Sequence, residues 1–255
     1  MFYKLKINIS EIGTPATLIT HHKMGDCDLY KKLILKELPF RFKETIQLEV
    51  VLSKGEILNM RDFHVWDLGQ PSAFHIVCSP LFRSVLENLH LPPHRFYPAE
   101  VDVLGKTENY FVLHFVYDYL DEMDYRQSQF AQAELLENEP IIHLYERGEI
   151  ESKDHYNQLN TQLIDSDQWI YARKIVLPKH KNYDIIGIRG SIVLSQNAKN
   201  EIEKAHITGV AMPSVTENKY TKGIEIEFAD ALPQMPKPIK IQNIPNYSVV
   251  EIIDK

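Results

Sequence analysis

The chain has 255 residues, enough for one large domain or two small ones with a substantial core. At 44% hydrophobic and 25% charged, its composition excludes a disordered chain. Twenty-eight Lys and Arg against 35 Asp and Glu leave a net charge of −7. The basic surface that replaces phosphate counterions is therefore missing, so no nucleic acid is expected, and a basic protein is the natural partner.

Residues 1–9 alternate like a first strand, with Phe2, Leu5, Ile7 and Ile9 apolar. They carry no long apolar stretch or small-residue cleavage site, so no signal peptide is expected. No apolar run approaches the roughly 20 residues that span a bilayer, and no membrane insertion is expected. The two cysteines, Cys27 and Cys78, suit a reducing compartment, so the expected location is cytoplasmic. Leu29, Leu33, Ile34 and Leu38 form one helical face ended by Pro39. Residues 45–52 read as a strand, and Lys54-Gly55 as a turn.

Residues 74–78 are a short apolar run suited to a strand buried on both faces. Ser79 is placed to cap a helix, and Pro80 takes the first helical position, where its missing N–H costs nothing. Leu81, Phe82, Val85, Leu86 and Leu89 form the apolar stripe, and Pro92-Pro93 stops the helix. A strand over 96–103, a turn over 105–109 and an aromatic strand over 110–117 follow. Residues 118–165 break the pattern, with a short helix expected over 131–138. A strand at 169–177 precedes strands at 185–189 and 191–194 around Gly190. Ser195 caps a second helix striped by Ala198, Ile202 and Ala205. Strands at 209–212 and 223–228, a Pro-rich linker over 233–238 and a last strand at 249–253 complete the reading.

The segment Ile76-Val-Cys-Ser79 through His90 echoes Ile192-Val-Leu-Ser195 through His206 at a spacing of 116 (192 minus 76). Duplication and independent convergence on good capping both account for that echo. The fold class is α+β, with a mixed, mainly antiparallel sheet and two strand–Ser–helix–strand units packing helices on it. Four segments are expected: 1–69, an N-terminal strand and helix region; 70–128, the first unit; 129–165, a charged irregular insertion; and 166–255, the second unit with C-terminal strands. They form one continuous domain or two intimately packed lobes.

No Gly-rich phosphate loop, G-x-S-x-G elbow, H-E-x-x-H or C-x-x-C occurs. Ser79 and Ser195 lack the flanking glycines of a nucleophile elbow, and capping accounts for them. His90 and His94 are separated by Leu91-Pro-Pro93, which prevents one helical face from presenting both. His21, His22 and Asp26 beside Cys27 form the one ligand-rich loop, without zinc-finger spacing. No catalytic residue, metal site or cofactor is expected. The partner-binding candidates are Asp118, Tyr119, Asp121, Glu122, Asp124 and Tyr125, since tyrosine offers rigid contact area and carboxylates meet Arg or Lys. The bland alternative for this stretch is a solvated strand end with Leu120 and Met123 tucked inward.

Three stretches, spanning about residues 70–212, carry a family resemblance. They are Ile76-Val-Cys-Ser79 with its helix and Phe96-Tyr-Pro98; Tyr110-Phe-Val-Leu-His114 running to Asp121, Asp124 and Ser128; and Ile192-Val-Leu-Ser195 to Ile207-Thr-Gly-Val210. In order and spacing the chain resembles immunity protein family eleven of bacterial polymorphic toxin systems. The resemblance implies a non-catalytic protein that binds and neutralises a cognate toxin by direct contact. The alternatives are a metal-assisted small-molecule enzyme using His21, His22 and Asp26, and a regulatory or scaffolding module of a secretion-linked locus.

Overall fold

Short β-branched and aromatic runs, punctuated by Ser, Pro and Gly, dictate many strands and few helices. The computed structural model is accordingly an α+β protein of mainly antiparallel sheets. It describes residues 1–7, 46–49, 65–66, 75–103, 106–115, 117–134, 140–188, 190–215 and 224–230. The expected helix at 29–38, the turn at 54–55, the loop with His21, His22, Asp26 and Cys27, the linker at 233–238 and the strand at 249–253 lie outside them.

The chain opens with β1 (Phe2–Lys4), β2 (Lys6–Ile7), β3 (Ile46–Glu49) and β4 (Val65–Trp66). Next come β5 (His75–Cys78), α1 (Pro80–Leu86), β6 (His94–Val103), β7 (Lys106–Phe115) and α2 (Tyr119–Glu122). They are followed by β8 (Gln129–Glu134), β9 (Ile141–Tyr145), α3 (Lys153–Leu163) and β10 (Gln168–Pro178). Last are β11 (Ile185–Ile188), β12 (Ser191–Ser195), α4 (Gln196–Lys204), β13 (Val210–Ala211) and β14 (Glu225–Ala229). The strands assemble in the orders β3-β6-β7-β5-β4, β14-β10-β8-β9, β1-β12-β11 and β13-β2. Among them β3 with β6 and β10 with β14 are the parallel pairs.

Both expected caps form. Ser79 Oγ accepts the Phe82 N–H and Ser195 Oγ accepts the Ala198 N–H, each at 3.1 Å. The two units then share far more than a cap. β7 lies between β5 and β6, and the N-terminal run β1–β2 lies between β12 and β13. Cys78 opposite Phe111 corresponds to Leu194 opposite Tyr3, which sets shifts of 116 (194 minus 78) and 108 (111 minus 3). The same two shifts carry Arg95 opposite His114 onto Ala211 opposite Lys6, and His94 opposite Phe115 onto Val210 opposite Ile7. They also carry Pro98 opposite Phe111 onto the bridge between Ser214 and Tyr3. The chemistry follows the register. Arg83 pairs with Glu87 and sits 4.2 Å over the Phe111 ring, while Lys199 pairs with Glu203 and sits 5.2 Å over the Tyr3 ring. Capping alone does not set the register of a third strand, so the echo at 116 marks one architecture used twice. The second unit takes its middle strand from the start of the chain.

One apolar cluster runs from Ile76, Phe82 and Leu113 through Phe130, Ile170 and Ile175 to Leu194 and Ile202, with Phe2 and Tyr3 packed against it. α1 and α4 touch one another across it. His75 and Val77 alternate with Ile76 and Cys78 and are buried too, so β5 is covered on both faces as its apolar run predicts.

Four expectations are corrected. Leu81 is 46% exposed, not part of the apolar stripe, because α1 makes only two turns and faces the core through Phe82, Val85 and Leu86. Residues 106–109 are strand rather than turn, drawn into the ten-residue ladder between β6 and β7. The helix expected over 131–138 is corrected to β8, whose Phe130, Ala131 and Ala133 are buried between β9 and β10. Sheet pairing there overrides the helical preference of Ala, Glu and Leu. Residues 129–165 are therefore not an irregular insertion, since they hold β8, β9 and α3.

Candidate functional site

β7 ends the first unit, and residues 117–128 carry the chain past β10 into β8. Asp118 caps the single turn of α2, its Oδ1 accepting the Leu120 N–H at 3.1 Å. The Tyr125 hydroxyl donates to the Leu120 carbonyl at 2.8 Å, and its ring stacks on Phe130. Asp124 accepts from the Gln127 N–H at 3.1 Å and from Gln127 Nε2 at 2.9 Å. The Asp124 N–H donates to the Val176 carbonyl at 2.8 Å, and the Val176 N–H donates to Ser128 Oγ at 3.0 Å. The segment is thus latched to β10 by backbone and side-chain bonds together.

Its charges are largely answered within the chain. Asp121 pairs with Lys153, and Glu122 pairs with Lys181 at 3.1 Å. Donating a hydrogen bond to Asp121 raises the Lys153 ammonium above its ordinary range, and donating to Glu122 does the same for Lys181. Burial pushes the Tyr117 and Tyr125 phenols up, with Glu122 adding to the first and Tyr156 to the second. Tyr119 and Tyr125 are buried, so the expectation that they offer contact area is corrected. Apolar packing against Phe130 and Tyr156 claims the Tyr125 ring. Of the six candidates, Asp121 is the one left exposed.

Sequence reasoning missed Asp184. Its N–H donates to the His90 carbonyl at 2.7 Å, and its Oδ2 accepts the His90 N–H at 2.9 Å. Ser195 Oγ donates to Asp184 Oδ1 at 2.6 Å, and Asn197 Nδ2 donates to Oδ2 at 3.1 Å. Ser, Asp and His thus lie together, but in structural roles. The Ser195 proton is held by the carboxylate, and its lone pair caps α4. The His90 ring rests near the Asn182 carbonyl, at 3.3 Å from Nδ1, and against the Tyr183 ring. A lone Asp ahead of a strand gives no local signal, because its partners are distant in sequence.

Among the described residues, no group of three His, Cys, Asp or Glu side chains is placed to hold a metal ion. Nor does any described helix have the length and apolarity to cross a membrane. Cys78 is buried, and desolvation pushes its thiol up to about 12, which keeps it protonated.

The surface that stands out is β9. Ile141, Ile142 and Leu144 are each 47% exposed, on a strand that pairs with β8 alone among the described strands. Beside it an open hollow of about 140 Å³ is lined by Leu144, Tyr145, Glu146, Arg173, Lys174 and Glu225. Residues 134–151 hold six carboxylates, from Glu134 to Glu151, against the single guanidinium of Arg147. Glu146, Glu149 and Glu151 follow β9 directly and are exposed. Exposed aliphatic side chains are the hallmark of an interaction surface when they cluster, and here they cluster next to the exposed carboxylates of Glu146, Glu149 and Glu151. No model of a known protein family matches this chain, and no curated protein was found similar to it.

Proposed function

We propose that this protein is a non-catalytic immunity protein that binds a cognate toxin with a basic contact surface and neutralises it by direct contact in the cytoplasm. The observation that carries the reading is β9, where three half-exposed aliphatic side chains lie beside the exposed carboxylates of Glu146, Glu149 and Glu151. Apolar side chains give such a contact its affinity, and the carboxylates speed encounter with a basic partner and select against acidic ones. A complex of ordinary size buries roughly 1,200–2,000 Å² in all. The resemblance of the three stretches between residues 70 and 212 to immunity protein family eleven supports the same reading. So do the polar groups that looked most like chemistry: Ser79, Ser195 and Asp184 are engaged in caps and in the link between the two units.

The test is co-expression. The C-terminal domain encoded by the neighbouring upstream reading frame is induced in a bacterial host with or without this chain. Growth arrest that the chain relieves supports the proposal. Arrest that persists at equal toxin level refutes it.

A further inference from the structure

We propose that the outer edge of β9 is a strand-addition site, taking an extended, basic segment of a protein partner into the β14-β10-β8-β9 sheet. This rests on the reading of the protein as a binding module and specifies where and how the partner docks.

β9 is the terminal strand of its sheet, so its outer row of N–H and C=O groups has no ladder partner among the described strands. Edge strands of folded proteins are ordinarily protected by lysine, proline, inward-pointing charge or a covering element. β9 reads Ile-Ile-His-Leu-Tyr and has neither lysine nor proline. Among the described residues its one protective device is the register shift opposite Gln132 and Ala133, where Ile142 is the extra residue. Both Ile141 and Ile142 remain half exposed at that bulge, and Leu144 stands half exposed beyond it. At its inner edge the strand is anchored, with Tyr145 Oη donating to Gln132 Oε1 at 3.1 Å. The template is therefore fixed on one side and, among the described strands, unpaired on the other. Main-chain bonds supply affinity in strand addition, and the side chains that flank them supply specificity.

Charge selects the occupant. Joining two copies of this chain edge to edge would bring together two stretches that each carry six carboxylates and one guanidinium between residues 134 and 151. A segment that alternates basic and apolar residues instead sets its cations beside Glu146, Glu149 and Glu151 and its apolar side chains beside Ile142 and Leu144.

Three short probe peptides test this on the whole chain: alternating Lys and Val, alternating Glu and Val, and the Lys/Val sequence with a central Pro. Binding is read by fluorescence anisotropy, and hydrogen exchange is followed across 141–146. The Lys/Val peptide is expected to bind and to slow exchange there. The Glu/Val peptide is expected not to bind, and the Pro peptide to bind at least about tenfold more weakly. Ile142→Lys with Leu144→Lys is expected to lower Lys/Val affinity by about tenfold or more. Should that variant melt early, Glu146→Gln with Glu149→Gln replaces it and is expected to weaken binding and its salt dependence. Absence of Lys/Val binding, equal binding of the Glu/Val or Pro peptide, or unchanged exchange over 141–146 overturns the site. The neighbouring-frame toxin domain separates the two proposals. If it binds wild type and the Ile142→Lys/Leu144→Lys variant equally, the site is wrong and the binding reading stands. If the Lys/Val peptide docks as expected and the toxin domain binds neither protein, the site stands and the toxin reading falls.

Discussion

Asp184 and His90 exchange two hydrogen bonds, one from the Asp184 N–H to the His90 carbonyl at 2.7 Å and one from the His90 N–H to Asp184 Oδ2 at 2.9 Å. They join the end of the first unit's helical segment to the start of the second unit's hairpin. The same carboxylate holds Ser195 and Asn197 at the head of α4. One side chain therefore couples the two units and fixes the second cap.

Asp184→Ala leaves the His90 N–H, the Ser195 hydroxyl and the Asn197 amide without that acceptor. It is expected to lower stability by about 2 kcal/mol, with Ser195→Ala costing about 1. Urea midpoints at unchanged slope measure both. Because the two residues share one bond, the double variant should cost less than the two losses added together.

The second unit depends on the chain's first residues. The Leu5 N–H donates to the Ile192 carbonyl at 2.9 Å, in a run flanked by strands on both sides. Leu5→Pro removes that donor at the junction of β1 and β2. Hydrogen exchange is expected to speed first at Val193 and Val210, while Val77 and Val112 of the first unit keep their protection. Uniform loss in both units would mean that they do not open separately.

His75 is buried, and both its ring nitrogens are without a hydrogen-bond partner among the described residues. Desolvation, with a smaller contribution from His114 across the ladder, lowers its pKa from 6.5 to about 4. The folded-state value lies below the unfolded one, so the stability is fully present above pH 6.5 and is lost as pH falls toward 4. Between pH 7 and 5 the loss is about 2 kcal/mol. His75→Leu is expected to flatten denaturation stability over that interval by this amount, and an unchanged slope would assign the acid sensitivity to other groups.

Asp121 and Asp124 are close in sequence and opposite in consequence. The pair between Asp121 and Lys153 is exposed, so Asp121→Ala should change stability by no more than about 0.5 kcal/mol. Asp124 bonds Gln127 at two atoms within the latch to β10, and Asp124→Ala should cost about 1 kcal/mol. Thermal melts distinguish the two, and Asp121→Ala is the variant whose binding is compared at nearly unchanged stability.

The capped helices were legible because a cap is local: a Ser and an apolar stripe sit within ten residues of each other, with Pro80 added in the first. The echo at 116 was legible as well, but its meaning was not. The strand that equates the units comes from residues 2–7 in one and 106–115 in the other, and no local pattern ties Tyr3 to Leu194. β8 was misread because Ala131, Ala133 and Glu134 favour a helix until two neighbouring strands pair with them. The site behaved similarly. Acids and tyrosines at 118–125 resemble a contact patch in composition, yet Tyr119 is buried in the apolar cluster and Tyr125 packs against Phe130 and Tyr156. The exposed apolar run Ile141-Ile-His-Leu144 reads in isolation as a core strand, and only the sheet order places it at an edge.

The binding step of the proposed function is tested most directly by isothermal titration of this chain with the purified C-terminal domain encoded by the upstream reading frame. The expected result is a one-to-one complex with a dissociation constant below about 1 μM, weakened as salt rises because carboxylates meet a basic surface. No heat of binding at concentrations of tens of micromolar, with both proteins folded, would contradict it.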